Sequence, residues 1–417
     1  MASFSFGTGN AAKLLRLPLY AAGRIAALLI PRGDTWVFGC GAGVGDGALA
    51  LYRVAAHAGH PVLWLARSPR DADDARALGI RTVPRDGIRG WWATIRAGVV
   101  VVTHGLGDVN RYGSSSAFVV QLWHGIPLKR IGLDSPITAQ VPPGIPGAAL
   151  LRRLLTAMYR GAAQRIQVLP AASHRSRGRL ESAFGLGDDR VVVTGEPRVD
   201  VLSLGSAAQR RATATTLLTR TGPVLTGQRV LLYAPTWRDG APDPAVPTAA
   251  QWVEIVRLLE THDAILFIRS HPLGAGAYAP PWSSGRVRML NSDLLADVTP
   301  ALPRVDVLIT DYSSMAYDVG LLATPVVYLA PDAEQYARER GFYGRYSDVA
   351  GDDHATDWPA ALAQLDAVLS DDAVRAERSA RSAELSAHMH AHRDGQNARR
   401  VYQAIRARGI PAPKGAR

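Results

Sequence analysis

Short apolar runs punctuate the chain, and each ends on a glycine, a serine, a histidine or a charged residue. In the first half they are WVFGCGAG (36–43), PVLWLARS (61–68), GVVVVTHG (98–105), AFVVQLWHG (117–125), IQVLPAAS (166–173) and VVVTGEPRVD (191–200). The second half repeats the rhythm with QRVLLYAPTW (228–237), AILFIRSHP (264–272), DVLITDYSS (306–314) and PVVYLAPD (325–332). Brief, continuous β-branched runs read as strands buried on both faces. Between them lie stretches of helical period, such as DGALALYRVAAHAG (46–59), QWVEIVRLLETH (251–262) and MAYDVGLLA (315–323). Alternation of this kind predicts parallel sheets joined by crossover helices. The Ala/Thr/Gly-rich stretch 201–228 carries no strand signal and is taken as the domain junction. The expectation is α/β: two Rossmann-like, doubly wound domains facing a cleft. They would span 1–205 and 206–390, with a C-terminal helix and tail at 391–417.

Two stretches are amphipathic rather than buried. In AAKLLRLPLYAAGRIAALLI (11–30), Lys13, Arg16, Tyr20 and Arg24 fall on one face, and Pro18 is expected to interrupt the helix. In ALLRRLLTAMYRGAAQR (149–165), Arg152, Arg153, Arg160 and Gln164 lie opposite Leu151, Leu154, Leu155, Met158 and Ala162. Such faces either pack on the protein's own core or lie on an anionic bilayer. Neither stretch is apolar enough to span a membrane, and no secretory signal opens the chain.

Composition narrows the chemistry. The 417 residues, 47% hydrophobic and 20% charged, suit a globular protein of about two domains. A net charge of +11 favours polyanionic partners: nucleic acid, anionic membrane or phosphorylated substrates. Nucleic acid is the least supported, because no aromatic-interleaved basic stripe or reading motif is present. The single cysteine, Cys40, excludes an intrachain disulfide and any multi-cysteine metal site, and it fits a reducing compartment.

In open parallel sheets ligands bind beyond the carboxyl ends of the strands, and the polar residues of this chain concentrate there. His124 follows a buried strand and precedes a turn made by Gly125 and Pro127, with Lys129 and Arg130 close behind. An imidazole at the mouth of a sheet is suited to take a proton from an alcohol. His271 ends a strand of the second domain in FIRSHP, and Thr236 and Arg238 do so in YAPTWRD. A guanidinium at such a place can grip a phosphate in a fork. In LITDYSSMAYDVGLL, Thr310, Asp311, Ser313 and Ser314 stand between strand and helix, where hydroxyls and N–H groups offer donors to an anion. The glycine-rich GCGAGVGDG (39–47) fits no dinucleotide register and is read as a tight turn. HMHAHRDG (388–395) is His-rich but is not read as a metal site, and no metal is expected.

Taken together, QLWHGIPLKRIGLD, VVVTGEPRVD, LLYAPTWRD, FIRSHP, DVLITDYSSMAYDVGLLATPVVY and DGQNARRVY resemble the CDP-glycerol glycerophosphotransferases, the teichoic-acid and capsule polyol-phosphate transferases. The resemblance covers roughly 120–330 and the closing helix. It implies a GT-B-like fold with an acceptor- and membrane-facing first domain and a CDP-donor-binding second domain. It also implies transfer of a polyol phosphate from CDP-glycerol or CDP-ribitol to a lipid-linked saccharide acceptor, with release of CMP and no required cofactor. The enzyme would rest peripherally on the anionic cytoplasmic face of the cell membrane. By the same resemblance His124 is the base and His271 a pyrophosphate contact or leaving-group acid. Thr236, Arg238, Thr310, Asp311, Ser313 and Ser314 surround the donor diphosphate, with Gly125, Lys129, Asp134 and Arg198 supporting the acceptor side. GEPRVD departs from the family's more usual GYPRND, which leaves the roles of Arg198 and Asp200 open. Two rivals remain: a nucleotide-sugar glycosyltransferase of the same architecture, and a membrane-binding protein without catalysis.

Overall fold

A computed structural model of the chain describes residues 17–141, 144–238, 243–270 and 278–413. The chain divides into two units, one running to Asp200 and resuming at Ala391, the other Val201–His390.

The first unit is a seven-stranded sheet. Its strands are β1 (Trp36–Phe38), β2 (Val62–Ala66), β3 (Thr82–Pro84), β4 (Val99–Val102), β5 (Phe118–Gln121), β6 (Ile166–Ala171) and β7 (Val191–Val193), in the order β3-β2-β1-β4-β5-β6-β7. Every pairing is parallel. The order reverses between β1 and β4, the topological switch point at which doubly wound sheets open a crevice. Trp36, Phe38, Trp64, Val99, Val101, Val120 and Val168 fill one side of this sheet against Leu51 of helix Asp46–His57. Val401 and Ile405 of helix Asn397–Arg406 join the same core, so the closing segment belongs to the first unit. Asp200 anchors that helix: its carboxylate accepts the backbone N–H of Asn397 at 2.9 Å and of Ala398 at 2.8 Å. Asn397 in turn donates from Nδ2 to the carbonyl of Glu196 at 3.1 Å. Asp200 is thus a structural clamp, and burial pushes its carboxyl up to about 6.

The second unit is a five-stranded parallel sheet: β8 (Arg229–Ala234), β9 (Ala264–Ile268), β10 (Val287–Met289), β11 (Val307–Thr310) and β12 (Val326–Tyr328). The order β10-β9-β8-β11-β12 repeats the reversal, here between β8 and β11. Leu231, Tyr233, Leu266, Ile309 and Val327 pack under Trp252 and Trp358 of the flanking helices.

Two sequence expectations need correcting. The supposed junction at 201–228 contains a helix, Ala207–Leu218, that belongs to the second unit. Its start is fixed by reciprocal bonds between Ser206 and Gln209, and only Ala214 and Leu218 are buried, which is why its period is faint. Pro18 does not interrupt the first described helix, Leu17–Leu29, but stands in its opening turn, where a missing N–H costs nothing. Lys13 and Arg16 lie outside the described residues.

Candidate active site

Beyond β5 the backbone takes an unusual path. Trp123 has φ 63°, a left-handed conformation costing a bulky residue about 1–2 kcal/mol, and Gly125 follows at φ 137°, where glycine is required. The strain is held by packing: the Trp123 indole meets Phe184 edge-on at 5.2 Å, while Ile126 and Leu128 are plugged into the core behind it. Arg179 donates to the carbonyl of Pro127 at 2.6 Å and pins the loop. Strain that is over-determined by its surroundings is a mark of functional sites. Its effect here is to bring His124 back over the neighbouring strand.

The His124 imidazole lies between two rings, Trp123 at 4.2 Å and His104 at 4.2 Å, the latter within 3° of parallel. His124 Nδ1 is 3.4 Å from the carbonyl of Thr103, which also accepts from Gln121 Nε2 at 2.9 Å. A carbonyl can only accept, so the proton sits on Nδ1 and Nε2 keeps its lone pair. Among the described residues no side chain or backbone group bonds that nitrogen. The ring is largely surrounded by protein, and the residue as a whole is half-buried. Burial, reinforced by the charge that His104 would carry, holds His124 well below the ordinary histidine range, so it is neutral near pH 7.

Thr103 and His104 follow β4 and are tied down by Asp108, whose carboxylate accepts both backbone N–H groups, at 2.9 and 2.7 Å. The Thr103 hydroxyl lies 2.8 Å from His104 Nδ1 and 3.2 Å from the Cys40 sulfur. The glycine loop after β1 fits underneath. A Cβ on Gly41 would stand 2.5 Å from His104 Cγ, and one on Gly39 would stand 2.2 Å from the Asp108 carbonyl oxygen. GCGAGVGDG is therefore a close-approach turn beneath His104, as its spacing implied. Sequence reasoning missed His104 and Asp108; THG after VVVV, matching WHG after VVQL, was the available signal.

The remaining first-unit candidates are spread around this point. Lys129 is half-buried on the loop. The Asp134 carboxylate accepts from the Ser182 hydroxyl at 2.6 Å, and Arg198 pairs with buried Glu196 at 2.9 Å. Of these, Arg198 is close enough for its charge to lower the His124 pKa further.

The second-unit candidates form a tight network. Arg238 bonds Asp332 with Nε and Nη2, both at 2.8 Å, and with Nη1 it bonds Asp311 at 2.8 Å and the Thr236 carbonyl. Its plane lies over Tyr312 and Tyr336, at 4.9 and 5.1 Å. Four of its five N–H groups are thereby engaged. This corrects the expectation of an open phosphate fork: among the described residues the guanidinium already serves as a strut. Burial works against its charge, but Asp332 and Asp311 more than compensate and raise its pKa. Asp311 also accepts the N–H of Thr236 at 2.9 Å and of Tyr312 at 2.6 Å. The Thr310 hydroxyl donates to the Ala234 carbonyl at 2.7 Å, clipping β11 to β8. Ser313 accepts from the Met315 N–H at 3.2 Å, and both it and Ser314 remain partly exposed at the start of the short helix Met315–Val319. The Thr236 hydroxyl is buried with no partner among the described residues. His271 lies outside the described residues. Among those described, no cluster of three or more His, Cys, Asp or Glu side chains is disposed to hold a metal ion.

The family description that fits this arrangement is CDP-Glycerol:Poly(glycerophosphate) glycerophosphotransferase, whose model matches residues 32–407. The chain belongs to that family. A teichoic acid glycerol-phosphate transferase of Staphylococcus aureus is 29% identical over 244 residues, 56% of this chain and 58% of that protein. A teichoic acid poly(glycerol phosphate) polymerase of Staphylococcus epidermidis is 28% identical over 237 residues, 55% of this chain and 31% of that protein. A ribitol-phosphate polymerase, TarK of Staphylococcus aureus, is 31% identical over 164 residues, or 39% of this chain and 31% of that protein. The chain thus spans from about a third to under two-thirds of these relatives. Among solved structures, the wall teichoic acid polymerase TagF aligns over 97% of both chains with a TM-score of 0.72 at 21% identity. UDP-GlcNAc 2-epimerase from Neisseria meningitidis aligns over 91% of this chain with a TM-score of 0.51 at 12% identity. These likenesses establish a GT-B-like fold for the family member described here.

Proposed function

We propose that the chain transfers a polyol phosphate, glycerol or ribitol phosphate, from a CDP-activated donor to a hydroxyl of a lipid-linked saccharide acceptor in teichoic-acid or related polymer synthesis. The observation that carries the reading is His124, neutral, stacked, with Nδ1 committed to a carbonyl and Nε2 bare. That is the arrangement of a base waiting for an O–H. In the step proposed, Nε2 takes the acceptor proton as the acceptor oxygen bonds the β-phosphorus, which carries the polyol. The bond from that phosphorus to the bridging oxygen breaks, and CMP leaves with its electron pair. Phosphoryl transfer relies on positioning and charge neutralisation more than on covalent chemistry. In the second unit the proposal assigns His271, Ser313, Ser314 and Arg238 to the donor diphosphate.

Membrane attachment is part of the same proposal. No described helix is long and apolar enough to cross a bilayer. Helix Ala148–Ala163 nevertheless leaves Leu150, Leu154 and Met158 exposed at 73%, 53% and 39%, with Arg152, Arg153 and Arg160 also at the surface. Helix Leu17–Leu29 leaves Ile25, Leu28 and Leu29 open. Apolar faces that the protein does not bury itself, on a chain of charge +11, suit an anionic membrane surface at the cytoplasmic face, where a lipid-linked acceptor is met.

The test is product analysis. Purified protein is incubated with CDP-glycerol or CDP-ribitol and a lipid-linked disaccharide, and nucleotide release is followed. Acceptor-dependent CMP supports the proposal. Release of a nucleoside diphosphate from a nucleotide sugar would replace it with glycosyl transfer. Binding to anionic vesicles with no turnover of any donor would point to the non-catalytic rival.

A further inference from the structure

We infer that His104 is a positioning residue for the proposed base, the fixed ring against which the His124 imidazole is stacked and aimed. Its kinetic consequence rests on the proposed reaction; its structural consequence does not.

The stack is built from three directions. From below, Gly41 brings backbone so close to His104 that even a methyl group would strike the ring. From the side, Thr103 addresses both imidazoles, its hydroxyl 2.8 Å from His104 Nδ1 and its carbonyl 3.4 Å from His124 Nδ1. From the preceding position, strained Trp123 contacts the His124 ring at 4.2 Å. Parallel pairing of Val102 with Gln121 brings the two strand ends level, so the rings meet face to face rather than edge on. Among the described residues the His104 ring meets the Thr103 hydroxyl and stacks on His124, and its backbone N–H is held by Asp108.

Stacked rings restrict His124 to rotation within its own plane, and the Thr103 carbonyl removes that freedom. The lone pair on Nε2 then has one direction. Two imidazoles at this distance also oppose double protonation. Among the described residues the charged and titratable groups facing the pair are Asp108 and Arg67 beside His104, Arg198 beside His124, and Cys40 at the Thr103 hydroxyl. Asp108 alone favours a proton on His104; burial and Arg67 oppose it, and the net direction is down. Both rings are consequently neutral in the resting protein, which leaves His124 able to accept.

The test uses the full chain carrying ring-labelled histidine. NMR titrations follow His124, assigned by its loss in His124→Asn, while CMP release gives kcat and KM. In His104→Ala, kcat should fall about 10- to 100-fold with KM for the CDP donor within about twofold, the signature of a misaimed group. The His124 titration should move to higher pH as the opposing ring disappears. His104→Phe keeps a flat ring and should recover most of kcat, while the His124 titration still rises. Gly41→Ala retains His104 but displaces it, and should reproduce the kcat loss. An unchanged kcat and an unmoved His124 titration in His104→Ala would overturn the inference. So would His104→Phe performing no better than His104→Ala. If wild-type protein releases CMP from no donor, the proposed reaction fails, yet the titration of His124 in His104→Ala still decides whether the two rings act on each other.

Discussion

Each unit carries a polar cluster at the carboxyl end of its sheet beside the switch point, and the two are built on opposite rules. Beyond β4 and β5, neutral rings are stacked so that one nitrogen, His124 Nε2, bonds no described group. Beyond β8 and β11, charges are set against one another until almost every donor is used: Arg238 against Asp311 and Asp332, with Tyr312 donating to Asp332 at 2.8 Å. The first arrangement holds a strained backbone and leaves a ring nitrogen without a partner among the described residues. The second uses buried charge to fix the turn on which Ser313 and Ser314 stand. On the proposed reaction, polar residues at equivalent places in the same fold are machinery in one unit and scaffold in the other, and the measure of which is how many of their bonds are already made.

The difference can be broken most forcefully at Arg238. Arg238→Ala strands two carboxylates in a buried site, and the loss of one partner from such a network costs about 3–5 kcal/mol. Urea unfolding should show that loss, and donor turnover should fall along with it. If stability is unchanged while KM for the donor rises, Arg238 acts as a ligand and not as a strut, and the contrast between the units collapses.

His124→Ala should behave in the reverse sense. Turnover should drop by about 10² or more, while stability shifts by no more than about 1 kcal/mol. A variant that retains activity would remove the base from the proposed reaction. A variant that unfolds would make the ring stack scaffold after all.

A smaller effect is expected at Asp200. Replacing it with Ala removes the acceptor for two N–H groups at the start of the closing helix, worth about 0.5–2 kcal/mol. Hydrogen exchange should accelerate in 397–406 and leave the second unit untouched, because that helix packs in the core of the first.

These sites differ in how far they could be read from sequence. The WHG and THG turns are local: strand, aromatic or hydroxyl residue, histidine and glycine are consecutive, so the placing of His124 was legible and that of His104 could have been. Strand and helix alternation was equally plain, because fully buried strands leave continuous apolar runs. The strut made by Arg238 was not legible because its partners are remote. Asp311 and Asp332 lie 73 and 94 positions away, and nothing near YAPTWRD announces them. Asp200 was left open for the same reason, since Asn397 is 197 positions distant. Helix Ala207–Leu218 was lost to its composition: threonine-rich, with two buried positions, it signals itself only through the Ser206–Gln209 cap.

The smallest expected effect is the one that separates the units by pH. In the first unit burial holds His60, His104 and His124 below the usual histidine pKa of about 6.5. The unfolded chain therefore binds protons at these positions before the native state does, and stability falls as pH drops below about 6.5. Asp200 acts the other way, since its carboxyl is raised to about 6 in the fold and takes up its proton there before the unfolded chain does. The histidine effect should accordingly be clearest between pH 7 and about 6, and flatten below. In the second unit burial alone would raise Asp332, but the bonds from Arg238 and Tyr312 outweigh it and lower its pKa. Its stabilisation persists at all pH values above the ordinary carboxylate range and is lost only as pH falls below about 4. Hydrogen exchange read peptide by peptide should therefore show β4 and β5 loosening between pH 7 and 6 while β8 and β11 hold. Simultaneous loosening of both sheets in that interval would mean that the neutral rings of the first unit do not titrate as a separate group, and the contrast drawn here would lose its electrostatic basis.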